Sequence, residues 1–140
     1  IEREGIPAFV EFWENLPLWK SQARLPPAAR SRLRENRLKN DPLGLAHSLR
    51  GMGTGVQPSL WDRLQALSIP LLLLAGAEDQ KFVAIARQMA HSIPQARLVI
   101  VPDAGHTVHL EQPQAWREAL LGFWPGRRSG HIRQTLKTPG

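Results

Sequence analysis

The sequence predicts an α/β fold with parallel strands, and three observations carry that prediction. After Leu67 two continuous apolar runs occur, "IPLLLLAG" (69–76) and "ARLVIVP" (96–102), each closed by a turn residue. Such runs mark strands covered on both faces. Each is followed by a stretch of helical rhythm, "FVAIARQMAHSI" and "QPQAWREALLGFW", and the order strand, helix, strand, helix implies parallel strands joined by a crossover. Before Leu67, by contrast, the apolar spacing is helical throughout.

From the N-terminus, Phe9, Phe12, Trp13 and Leu16 recur at helical spacing. "LPPAARSRLRENRLK" opens with prolines, which suit a first helical turn because its N–H groups have no intrahelical partner, and then turns polar. Asp41 is placed to cap the next helix, with Pro42 at its first position and Leu43, Ala46 and Leu49 on one face. Gly51, Gly53 and Gly55 are expected to end it. "PSLWDRL" offers Ser59 as a further cap, with Asp62 three residues on. Beyond the first strand, Val83, Ala86, Met89, Ala90 and Ile93 share a helical face, and Trp116, Ala119, Leu120, Phe123 and Trp124 form a stripe behind Pro113. No internal repeat is visible. The chain therefore divides into a helical region (1–66), a strand–helix region (67–125) and a tail (126–140).

Composition narrows the classes open to the protein. Its 140 residues suffice for one ordinary domain. No apolar run reaches the roughly 18–20 residues of a membrane span. The N-terminus is acidic and amphipathic, unlike a signal peptide. The absence of cysteine excludes disulfides, thiolate metal sites and thiol nucleophiles. A cytoplasmic protein without metal or cofactor is the expectation. The net charge of +6 is uneven. Arg127, Arg128, Arg133 and Lys137 of the tail face no acid, and residues 20–39 hold seven Lys or Arg against Glu35. Basic runs can bind phosphates, but these lack a matching fold signature or interleaved exposed aromatics. Nucleic acid is not the expected partner, and the tail reads as a solvated, disordered extension.

In an open parallel sheet, ligands gather beyond the carboxyl ends of the strands. Two loops leave there, "GAEDQKF" (76–82) and "DAGHTVH" (103–109). A carboxylate that accepts from one imidazole nitrogen fixes the tautomer and leaves the other nitrogen free as a base. Asp79 and His106 are the natural pair, in the chain order acid then histidine that hydrolase-type sheets use. Glu78 competes for the same role, and Asp79 taken alone could simply cap the helix near Phe82. His109 reads as a packing or hydrogen-bonding neighbour of the site. His47, His91 and His131 carry no assignment.

The joint pattern of strand–G-x-x-D, helix, strand–x-x-G-H, helix resembles the C-terminal half of an α/β-hydrolase-fold enzyme. Within that superfamily the chain is similar to the 2-succinyl-6-hydroxy-2,4-cyclohexadiene-1-carboxylate synthases (MenH) of menaquinone and phylloquinone biosynthesis. The residues behind this are "FVEFWENLPLW", "NDPLGLAHSLRGMGTGVQPSLWDRL", "GAEDQKF" and "AGHTVHLEQP", over about residues 5–124. "GMGTGVQPSLWD" discriminates best, because generic hydrolases lack it.

The resemblance implies a cap or lid in the helical region. It also implies elimination of pyruvate from 2-succinyl-5-enolpyruvyl-6-hydroxy-3-cyclohexene-1-carboxylate by a Ser-His-Asp triad, with Asp79 as acid and His106 as histidine. Trp13 would face the active site and Arg37 would contact a carboxylate of a small polycarboxylate substrate, as its forked guanidinium suits. The plainer readings are core packing for Trp13 and a solvated helix face for Arg37. No G-x-S-x-G and no oxyanion-hole loop occur in these residues. The chain is therefore expected to begin within the cap, to be inactive and poorly soluble alone, and to pair with an N-terminal half carrying the nucleophile. Two alternatives stand: a fragment of another α/β hydrolase acting on an ester or amide, and a non-catalytic module binding anionic partners.

Overall fold

A computed structural model describes residues 1–124, and the tail assigned to 126–140 lies outside the described residues. The element order is α1 (Gly5–Glu14), a 3-10 helix (Pro17–Arg24), α2 (Pro27–Leu38), α3 (Pro42–Met52), a second 3-10 helix (Trp61–Ala66), β1 (Leu71–Gly76), α4 (Gln80–Ser92), β2 (Ala96–Val101), the short α5 (Val108–Glu111) and α6 (Pro113–Phe123). No helix among these residues is long and apolar enough to cross a membrane.

β1 and β2 pair in parallel, from Leu71 opposite Ala96 to Gly76 opposite Val101. Their pleat divides the apolar side chains between two covers. Ala75, Leu98 and Ile100 pack with Val83 and Ala86 of α4, while Leu74, Val99 and Val101 pack with Ala104, Val108 and Ala115 on the side of α5 and α6. Both faces are thus covered, as continuous apolar strands require. Leu71–Leu74 are nevertheless only half-buried, because the sheet among the described residues has two strands. The shared register ends both strands at one level, so the loops that follow leave side by side.

The helical region follows the sequence less closely. Asp41 caps α3 as expected, its Oδ1 accepting from the Gly44 N–H at 2.6 Å, and Gly53 ends it. Ala46 is buried, but Leu43 and Leu49 of the same stripe are exposed; no described element covers them. In α1 the buried residues are Ile6 and Val10. Phe12 is 64% exposed, Leu16 lies beyond the helix, and Phe9 and Trp13 stack on each other instead of entering the core. The segment after Ser59 is 3-10 rather than α. Leu60 stands at its cap position, and the Ser59 hydroxyl is 3.5 Å from the Trp61 N–H, too far for a firm cap. In α6 only Ala119 and Phe123 of the expected stripe, together with Ala115, turn inward.

Candidate active site

Two glycines let the strand-end loops touch. A Cβ at Gly76 would lie 2.1 Å from the Gly105 carbonyl oxygen and 2.4 Å from that of Ala104. These are backbone atoms that cannot move aside, so only glycine fits. Across this seam the Ala77 N–H donates to the Val101 carbonyl and the Glu78 N–H to that of Ala104, both at 2.9 Å. Asp103 turns the second loop with φ 53°, a left-handed conformation that Asp tolerates better than most residues.

Asp79 then uses both carboxylate oxygens. Oδ1 accepts from the Phe82 N–H at 3.3 Å and caps α4, while Oδ2 lies 2.7 Å from His106 Nδ1. The helix-cap reading and the histidine-partner reading of Asp79 therefore both hold. The carboxylate side chain is 9% exposed and the imidazole 27%, so the pair is sheltered but reachable. An ionised carboxylate only accepts, so Nδ1 is the donor of this bond, and in the neutral imidazole that leaves the lone pair on Nε2. The imidazole is gripped edge-on by Phe82 at 4.7 Å and Trp19 at 5.2 Å. Glu78, the competing acid, is bound instead by Arg24 Nη2 at 2.8 and 2.9 Å. His109 is exposed, with its ring 6.3 Å from that of Trp116.

Glu111 was not singled out by the sequence, yet it clamps the residues on either side of His106. Its carboxylate accepts from the Gly105 N–H at 2.8 Å, from the Thr107 N–H at 3.1 Å and from the Thr107 hydroxyl at 2.7 Å. The side chain is only 4% exposed. Burial opposes its ionisation, but the Gly105 N–H and Thr107 hydroxyl bonds outweigh it and hold the carboxyl below its ordinary value. On the other side, Ser21 crowds Gly105, where a Cβ would come within 2.1 Å of the Ser21 hydroxyl oxygen.

Trp13 and Arg37 converge on Trp19, another residue the sequence did not mark. Trp13 stacks on Phe9 and meets Trp19 at a tilt, 5.4 Å away, so it reaches His106 only through one more aromatic ring. Arg37 is not on a solvated face. Its side chain is 23% exposed, sits over the Trp19 ring at 5.8 Å and donates to Glu14 at 2.9 Å and to Gln22 at 3.2 Å. Arg34 also binds Glu14. Glu14, Trp19, Gln22, Arg34 and Arg37 line a cavity of about 830 Å³ together with Lys20 and Arg30. Trp13, expected to face the site, stands behind Trp19 instead of lining it. Asp79 and His106 line a second, of about 370 Å³, with Ser21 and again Lys20. The first 3-10 helix is the wall between the two, and Trp19 is the contact through it.

Comparison with known proteins places the chain in a family. The profile of the Alpha/beta hydrolase family matches residues 3–119. The chain belongs to that family. Among curated relatives of this alpha/beta hydrolase chain is a Bacillus subtilis (strain 168) protein with the provisional name 2-succinyl-6-hydroxy-2,4-cyclohexadiene-1-carboxylate synthase. It is 50% identical over 123 residues, which cover 88% of this chain and 45% of the relative. Among solved structures, MenH from S. aureus matches with a TM-score of 0.86 and 42% identity, over 87% of this chain and 46% of that one. A thermophilic esterase from Thermogutta terrifontis matches at a TM-score of 0.70 and 36% identity, over 86% and 46%. The chain thus spans about half the length of the relatives it matches.

Proposed function

We propose that the chain is the C-terminal portion of a menaquinone- or phylloquinone-pathway synthase that eliminates pyruvate from a small polycarboxylate substrate. The observation that carries this reading is the 2.7 Å contact between Asp79 Oδ2 and His106 Nδ1 in a chain 50% identical to a relative bearing that synthase name. Residues 1–66 serve as the cap and 67–125 as the end of the core. His106 Nε2 is the base that activates an elbow serine supplied from outside this sequence, and Asp79 orients the imidazole and stabilises its charged form. The activated serine takes a proton from the ring, and the freed electron pair forms a ring double bond as the bond to the enolpyruvyl oxygen breaks. The enolpyruvate that leaves takes up a proton to become pyruvate. Arg37 binds a substrate carboxylate in place of Glu14, and Trp13 supports the Trp19 wall beside it. No cofactor enters.

The chain by itself turns over nothing, because it has no G-x-S-x-G. The test is to combine it with a segment bearing the early strands and that motif, and to follow pyruvate release. His106→Ala should lower the recovered rate by about a millionfold. Pyruvate release that survives His106→Ala would sink the reading. A second reading, hydrolysis of an ester, is favoured by the likeness to the Thermogutta esterase. Turnover of a simple aryl ester by the combined protein, without pyruvate release, would select it.

A further inference from the structure

A line of hydrogen bonds joins the cavity of Arg37 to the loop of His106. Arg37 Nη2 donates to Gln22 Oε1 at 3.2 Å. Gln22 Nε2 donates to Thr107 Oγ1 at 3.0 Å. The Thr107 hydroxyl donates to Glu111 Oε1 at 2.7 Å, and Glu111 Oε2 accepts from the Gly105 N–H at 2.8 Å. Chemistry alone sets the direction. A guanidinium has only donors and a carboxylate only acceptors, so Gln22 must turn its oxygen to Arg37 and its nitrogen to Thr107. Gln22 is buried at 7% exposure, and both ends of its amide are satisfied.

We propose that Gln22 is a positioning residue that couples the state of Arg37 to the placement of His106. The inference rests on the reading above that Arg37 and His106 serve one reaction. In the free protein Glu14 and Gln22 share the guanidinium. A carboxylate ligand that draws Arg37 into the cavity weakens or strengthens its bond to Gln22, and the aligned dipoles carry the change to Thr107 and Glu111, which hold the two residues flanking His106. The other charged groups around the imidazole are Asp79, the Glu78–Arg24 pair and Lys20, whereas the Gln22 side chain is bonded to Arg37 and Thr107. An apolar side chain of the same length would fill the space equally well, so the amide is needed for its two-ended bonding rather than for packing.

The test reads the proton on His106 Nδ1 by NMR, in the soluble form of the protein, whether the chain alone or the chain with the segment that completes the sheet. Gln22→Met keeps length and volume but removes both bonds. Thr107→Val breaks the line on the far side of Gln22 and serves if Gln22→Met fails to fold. Each should speed solvent exchange of the His106 Nδ1 proton and the Gly105 and Thr107 amides about tenfold, while the amides of Leu73 and Val99 in the strands stay unchanged. Arg37→Met should have the same effect alone and no further effect on top of Gln22→Met. An unchanged His106 proton in Gln22→Met, or an Arg37→Met effect that adds in full to it, overturns the proposal. Exchange is read without turnover. Activity is judged only on the chain combined with the segment that carries the elbow serine. If that combination releases no pyruvate while the His106 proton responds, the coupling stands and the synthase reading is lost, and an active combination whose proton does not respond does the reverse.

Discussion

Asp79 performs two tasks with two oxygens, and substitutions separate them. Asparagine retains an oxygen for the Phe82 N–H but cannot accept from Nδ1 with a carboxylate's strength. Asp79→Asn should leave the melting temperature nearly unchanged while abolishing most activity of the completed enzyme. Asp79→Ala should also lose about 1 kcal/mol of stability through the missing cap, measurable by denaturant unfolding. Glu111 gives a pH signature. Its folded carboxyl titrates below the ordinary 4.5, so its stabilising contribution is fully present above that pH and is lost as pH falls through the lower folded value. Thermal melts between pH 3 and 6 should show less acid loss in Glu111→Gln than in the parent. Asp79 and His106 were legible in the sequence because each stands a fixed few residues past a recognisable strand. Trp19, Gln22 and Glu111 were not. The partner of Gln22 is 85 positions away, and a buried glutamine or glutamate has no local pattern to distinguish it from a solvated one.

At the level of elements, the strands were read within one or two residues, since a continuous apolar run closed by glycine admits few alternatives. α4 and the Asp41 cap were equally legible. The faces of α1 and α3 were not, because periodicity names an apolar face without saying what covers it. The seam between the two strand-end loops makes its own demand. Gly105→Ala would drive a methyl into Ser21, whose Cβ is 2.7 Å from the ideal Cβ position. Such overpacking costs about 1–3 kcal/mol and should shift the first 3-10 helix. Ser21→Gly in the same chain should restore part of the lost stability, measured as the unfolding midpoint. No recovery would mean that the strain lies elsewhere.

Across the whole molecule, the described residues leave apolar surface uncovered. Leu71–Leu74 are half-buried, and Leu43, Met52, Leu60 and Ile69 are exposed. A two-stranded sheet is marginal by itself and its open edges invite pairing with other chains. Expressed alone, the 140 residues should scatter light and bind a hydrophobic dye. Adding a segment that continues the sheet should suppress both, and undiminished scattering would count against the completing-half reading. The fold class was legible at this scale, since strand order and parallel pairing follow from the alternation of patterns. The balance of covered and uncovered surface was not, because it depends on what lies beside the sheet.

The meeting of Gly76 with Ala104 and Gly105 is made by main chain alone. Such a junction is indifferent to the cargo carried a few positions downstream on either strand. New acids, bases or amides could be installed at 79 and 106 without rebuilding the joint that brings them together, whereas a single methyl added at the joint would undo any of them.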